Sequence, residues 1–112
     1  MTVNVGVIGC GRWGLTHLKT LKKLKHKNLV SKIHACDIDP AKEIEVSGLV
    51  DSFSASWQEM LEHESIDIVA IVTPLETHSE LIFDLMEKDP LLLIEKPLCN
   101  TQEEAIEILS RA

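Results

Sequence analysis

Residues 6–14 read Gly-Val-Ile-Gly-Cys-Gly-Arg-Trp-Gly, and Gly9, Gly11 and Gly14 form a G-x-G-x-x-G set at the end of an apolar run. The chemistry this spacing serves is anion binding by the main chain. The first glycine permits a tight turn, the second lets the backbone approach a pyrophosphate, and the third lets the following helix pack close to its strand. That helix presents unpaired N–H groups and a partial positive charge at its N-terminus. Arg12 therefore contributes its backbone N–H, and Trp13 belongs to the same loop. Asp37 lies twenty-three residues beyond Gly14, near the roughly 20-residue offset of a carboxylate that bonds ribose hydroxyls. An acid there repels a 2′-phosphate, so NAD is expected over NADP. Arg12 is the counter-argument, since an arginine can accommodate that phosphate, but its place inside the glycine loop favours the pyrophosphate.

Three glycines at this spacing also occur in ordinary loops, so the elements around them carry the inference. Thr2 to Ile8 is β-branched and uncharged, as suits a buried parallel strand. Leu15, Leu18 and Leu21 then recur at helical spacing. A second strand, Lys32 to Asp37, ends in the acid. Pro40 to Val46 reads as a short helix opened by proline, and Val50 to Ser54 as a short strand. Ser56-Trp-Gln-Glu59 is a capping box that starts a helix running to about His63. Asp67 to Thr73 is apolar on both faces and reads as a central strand closed by Pro74. Thr77-His-Ser-Glu80 is a second capping box ahead of Leu81, Ile82, Leu85 and Met86. Leu91 to Glu95 is a further strand stopped by Lys96-Pro97. Thr101-Gln-Glu-Glu104 opens a last helix with Ala105, Ile106 and Leu109 on one face.

Strands alternating with helices of this length predict one α/β domain over 1–112, a doubly wound, mostly parallel sheet with helices on both faces. Ligands of such sheets bind beyond the carboxyl ends of the strands. That rule sets Gly9 to Gly14, Asp37, Thr73 to His78 and Glu95 to Pro97 along one rim.

The chain has 112 residues, long enough for a real core, and its 45% hydrophobic and 26% charged residues are those of a globular domain. Its 11 basic and 18 acidic residues leave a net charge of −7, which argues against nucleic acid and anionic membranes as partners. An anionic dinucleotide must then be held locally, by the helix terminus. Residues 1–8 lack the basic segment of a signal peptide, so a cytoplasmic location is expected. Cys10, Cys36 and Cys99 are odd in number and without C-x-x-C spacing, which predicts reduced, buried thiols.

Taken together, Val7 to His17, Asp37, Thr-Pro-Leu-Glu-Thr-His at 73–78 and Glu-Lys-Pro-Leu at 95–98 resemble the N-terminal half of the glucose-fructose oxidoreductase / inositol dehydrogenase / MocA-like family. The resemblance covers essentially the whole chain. It implies a Rossmann-type NAD-binding domain, with Thr73, Pro74 and His78 lining the nicotinamide half of the cofactor. It further implies that Lys96 projects toward a substrate hydroxyl, with Glu95 and Pro97 setting its loop. Partial burial and a nearby cofactor cation lower a lysine pKa enough for it to take a proton while hydride leaves the carbon. Family members carry a second, substrate-binding domain, and this chain stops before it.

The implied function is hydride transfer between the nicotinamide and a sugar, cyclitol or nucleotide-sugar hydroxyl. As 112 residues alone, the chain is expected to bind cofactor and turn over poorly, and to associate with itself through surface the second domain would cover. A different class, a stand-alone nucleotide-binding or redox-sensing module, stays open, as does an enzyme that uses NAD transiently in a net non-redox reaction. Other residues have plainer readings. His17 packs beneath the glycine loop, and Trp57 packs near its helix start. His26, His34 and His63 show no ligand spacing, so no metal site is expected. Lys19, Lys22, Lys23, Lys25 and Lys27 form the solvated face and C-terminal end of the first helix, while Glu103 and Glu104 are first-turn helix residues.

Overall fold

The computed structural model describes residues 3–63, 65–88, 90–94 and 101–111. Five strands, β1 (Val3–Ile8), β2 (Val30–Cys36), β3 (Ser52–Ser54), β4 (Ile68–Ile71) and β5 (Leu91–Ile94), form one sheet in the order β3-β2-β1-β4-β5. Every pair is parallel. The connecting helices are α1 (Arg12–His26), α2 (Lys42–Val46), α3 (Trp57–His63), α4 (His78–Met86) and α5 (Gln102–Arg111).

The order reverses at β1, and right-handed crossovers then fix which face each helix takes. Leu18 of α1 and Val46 of α2 pack with Val5, Val7, Ile33 and Ala35 on one face. Met60 of α3, Ile82 and Leu85 of α4 and Ile108 of α5 pack with Ile8, Val69 and Ile71 on the other. Successive residues of a strand serve opposite faces, so β4 is apolar throughout and β1 carries no polar side chain beyond Asn4.

The registers align the strand ends in one row, Ser54–Cys36–Ile8–Ile71–Ile94. Bonds just past that row extend it: Gly9 N–H donates to Cys36 O at 2.9 Å, and Val72 N–H donates to Ile8 O at 2.9 Å. The opposite end of the sheet is set by the exit from α1. Asn28 takes φ 61°, and Leu29 N–H and Asn28 N–H bond back to Leu24 O and Lys25 O, each at 3.0 Å. This left-handed cap stops α1 and turns the chain into β2.

Two of the three capping boxes form. Glu59 N–H donates to Ser56 Oγ at 3.2 Å, and Thr101 and Glu104 exchange both bonds at 3.1 Å. The box expected at Thr77 does not form. A 3-10 turn over Leu75–Thr77 runs straight into α4, so Thr77 is already helical and its hydroxyl donates to Pro74 O instead. The last helix is also rotated from expectation. Ile108 is its buried residue, while Ile106 and Leu109 are 60% and 69% exposed. Glu104 is held by Ser79 of α4, and the Arg111 guanidinium lies 4.5 Å from the Phe83 ring centre. Those two contacts choose the docking face. Trp57 packs against the Met60 cluster as expected.

Candidate functional site

The glycine loop is shaped by contacts that a side chain would break. Gly9 has φ +102°, and a Cβ there would stand 2.7 Å from Val72 O. A Cβ on Gly14 would stand 1.9 Å from Gly9 O, because the first turn of α1 lies directly on the loop. Gly11 differs: among the described residues, nothing lies within 4 Å of a Cβ built on it. Packing among the described residues therefore does not require glycine at position 11, and the open space is what a closely approaching ligand needs.

Gly11 is the N-cap of α1, with no side-chain cap and no acid in the first turn. The helix terminus thus keeps its positive end available to an anion. Arg12 and Trp13 are both exposed beside it, the guanidinium 5.5 Å from the indole ring centre. An NAD pyrophosphate fits this cradle by the chemistry of its donors.

Asp37 follows the last residue of β2 and joins that strand to the loop. Its Oδ2 accepts from Cys10 N–H at 2.8 Å, and its Oδ1 accepts from Asp39 N–H at 2.9 Å. A carboxylate offers about four acceptor positions. With two used by the backbone, two remain for a vicinal diol.

On the other side of β1, the Thr73–Pro74 turn abuts the loop, with Thr73 Cγ2 at 3.1 Å from a Gly9 Cβ position. Thr77 Oγ1 donates to Pro74 O at 2.6 Å and lies 2.6 Å from Thr73 Oγ1. His78 does not stand open on the rim. It is buried, with Nε2 at 3.0 Å from Thr73 O.

The structure thus brings Gly9, Gly11, Arg12, Trp13, Gly14, Asp37, Thr73 and Pro74 to one rim and sets His78 beneath it. Glu95, Lys96 and Pro97 lie outside the described residues, as does Cys99; Ile94 before them ends the aligned row. His17 departs from expectation. It is half-buried further along α1, facing a groove of about 340 Å³ with Val5, Ala70 and Leu93 rather than lying under the loop. Residue spacing alone missed the Cys10 N–H as a partner of Asp37 and the Thr77 hydroxyl as the clasp of the turn. The Thr-Pro-x-x-Thr spacing was the available signal for the second, since a hydroxyl readily reaches a carbonyl three residues back.

Cys10 and Cys36 are buried, free thiols on opposite faces of the sheet. Burial first, then the Asp37 carboxylate, pushes Cys10 up to about 11. Burial first, then Cys10 and Asp37, pushes Cys36 up to about 12. Both are protonated and poor nucleophiles at neutral pH.

The family model described as "Oxidoreductase family, NAD-binding Rossmann fold" (GFO_IDH_MocA) matches residues 3–112. The chain belongs to this family. An inositol 2-dehydrogenase 1 of Paenarthrobacter aurescens is 35% identical over 99 residues, covering 87% of this chain and 29% of that protein. An alpha-N-acetylgalactosaminidase of Shewanella oneidensis is 32% identical over 118 residues, covering 98% of this chain and 26% of that protein. The WlbA dehydrogenase of Chromobacterium violaceum, solved with NADH and UDP-GlcNAcA, superposes with a TM-score of 0.87 at 28% identity, over 99% of this chain and 32% of that one. The chain therefore spans about a quarter to a third of the length of these relatives. The matched part is the NAD-binding Rossmann unit of the GFO_IDH_MocA family. Among the described residues, no helix is long and apolar enough to cross a membrane.

Proposed function

We propose that this chain is the cofactor-binding unit of an oxidoreductase that passes hydride between NAD and a hydroxyl-bearing carbon of a sugar, cyclitol or nucleotide sugar. The observation that carries this reading is the Gly11 space, open above an uncapped helix terminus, with the Asp37 carboxylate tied to the same loop. The inositol dehydrogenase and the UDP-GlcNAcA-bound dehydrogenase among its relatives support the substrate class. The negative charge of Asp37 favours NAD over a 2′-phosphorylated cofactor.

In that reading the loop and the α1 terminus bind the pyrophosphate, Asp37 orients the adenosine ribose, and the Thr73–Pro74 turn bounds the nicotinamide half. NAD, when bound, supplies the hydride acceptor. Lys96 takes the hydroxyl proton as the C–H hydride leaves, so the substrate loses two electrons and two hydrogens in all. This role rests on the Glu95-Lys96-Pro97 motif.

A second domain completes the substrate site. Among the described residues, Leu93 of β5 is 56% exposed on the α1 side of the sheet, apolar surface that suits contact with such a domain. Buried free thiols at Cys10 and Cys36 accord with a cytoplasmic location.

Calorimetric titration of the folded chain with NADH and NADPH tests the cofactor assignment. Binding with NADH preferred is expected, and absence of NADH binding overturns it. The similarity to an alpha-N-acetylgalactosaminidase favours one second reading, net non-redox chemistry with transient use of NAD. With the complete enzyme, net NADH accumulation from a sugar substrate excludes that reading, and turnover without accumulation supports it.

A further inference from the structure

His78 is 2% exposed at the start of α4, and its Nε2 lies 3.0 Å from the Thr73 carbonyl oxygen. A carbonyl oxygen only accepts, so Nε2 carries the proton and donates. The hydroxyls beside it have a fixed order too. Thr77 Oγ1 spends its single proton on Pro74 O, so the 2.6 Å bond to Thr73 Oγ1 is donated by Thr73. The carbonyl and the hydroxyl of Thr73 are thereby held by α4 and the turn before it. The Thr73 methyl in turn lies against Gly9, at 3.1 Å from a Cβ position there.

A buried imidazole is costly to desolvate, and this one is held where its Nε2 fixes a main-chain carbonyl beside the glycine loop. We propose that His78 is a positioning residue for the nicotinamide half of the site, fixing the Thr73 carbonyl and through it the turn that bounds that half, without touching the cofactor. This inference rests on the NAD-binding reading above. The half is assigned by topology. Asp37 follows β2, on one side of β1, and takes the adenosine ribose, whereas Thr73 follows β4, on the other side, where the second mononucleotide of a dinucleotide lies.

The test compares NADH with ADP, which shares the adenosine and pyrophosphate contacts and lacks the nicotinamide. Both are titrated calorimetrically into the wild-type, His78→Phe and His78→Gln chains, with the fold of each checked by far-UV circular dichroism. His78→Phe is expected to weaken NADH about tenfold, the worth of one lost hydrogen bond, and to leave ADP within about twofold. His78→Gln, whose amide N–H has similar reach, restores most of the NADH affinity. Unchanged NADH affinity in His78→Phe, or parallel losses of NADH and ADP, overturns the inference. Failure of the wild-type chain to bind either nucleotide overturns the cofactor reading itself. Should His78→Phe not fold, nitrogen-15 spectra of the wild-type imidazole decide: an Nε2–H tautomer is expected, and an Nδ1–H tautomer overturns the inference.

Discussion

The Asp37 carboxylate accepts the Cys10 N–H at 2.8 Å, so the acid that ends β2 also holds the residue between the first two glycines of the loop. Its second oxygen holds Asp39 N–H at 2.9 Å. One side chain thus shapes the glycine loop and supplies the charge proposed to face a ribose.

Asp37→Ala removes both functions. Two backbone N–H groups lose their acceptor, which costs about 1–3 kcal/mol where water does not replace it. NADH affinity is expected to fall by about tenfold or more, and NADPH affinity by less, because the repelling charge is gone. Urea denaturation and paired titrations read the two effects, and equal losses for both nucleotides would show that Asp37 acts on the loop alone.

Gly11 and Gly14 separate a ligand requirement from a folding requirement. Gly14→Ala forces a Cβ to 1.9 Å from Gly9 O and should cost on the order of 3 kcal/mol, seen as a lower urea midpoint. Gly11→Ala has space for its methyl and an ordinary φ of −75°, so the midpoint should barely move. Its NADH affinity should nevertheless fall about tenfold or more, since the methyl occupies the approach to the cradle. Intact cofactor binding by Gly11→Ala would place the pyrophosphate elsewhere.

The two buried thiols make the fold sensitive to alkali. Their folded values, about 11 for Cys10 and about 12 for Cys36, lie above the ordinary thiol value, so the folded state keeps protons that the unfolded state has released. Stability is then full below about pH 8.5 and declines as pH rises toward 11 and 12. Cys36 alone contributes a slope of up to about 1.4 kcal/mol per pH unit. Urea midpoints measured from pH 8 to 11 should fall, and Cys36→Ala should flatten the decline while lowering the starting stability. The sequence holds no tyrosine to titrate in the same range.

Glu104 fastens α5 twice, through the reciprocal bonds with Thr101 and through Ser79 of α4. Glu104→Ala should destabilise by about 1–2 kcal/mol. Hydrogen exchange should localise the loss to α5 and leave the β1 and β2 amides protected; uniform loss of protection across the sheet would refute a local role.

Local sequence determined the strands, the helices and the rim on which the loop, the acid and the Thr73–Pro74 turn meet, because these depend on periodicity, glycine spacing and the parallel-sheet rule. It also determined two capping boxes, at Ser56 and Thr101, where donor and acceptor are three residues apart. Tertiary contact decided the rest. Thr77 has the residue type of a cap, yet its hydroxyl serves Pro74 and Thr73 because a 3-10 turn carries the chain into α4 already helical. Ile106 and Leu109 have helical spacing, but Ser79 and Phe83, distant in sequence, select the Ile108 face. The Thr-Pro-Leu-Glu-Thr-His motif marks His78 as a candidate site residue. That its ring turns inward to Thr73 rather than outward to a ligand depends on how α4 packs against β4, which no local pattern records.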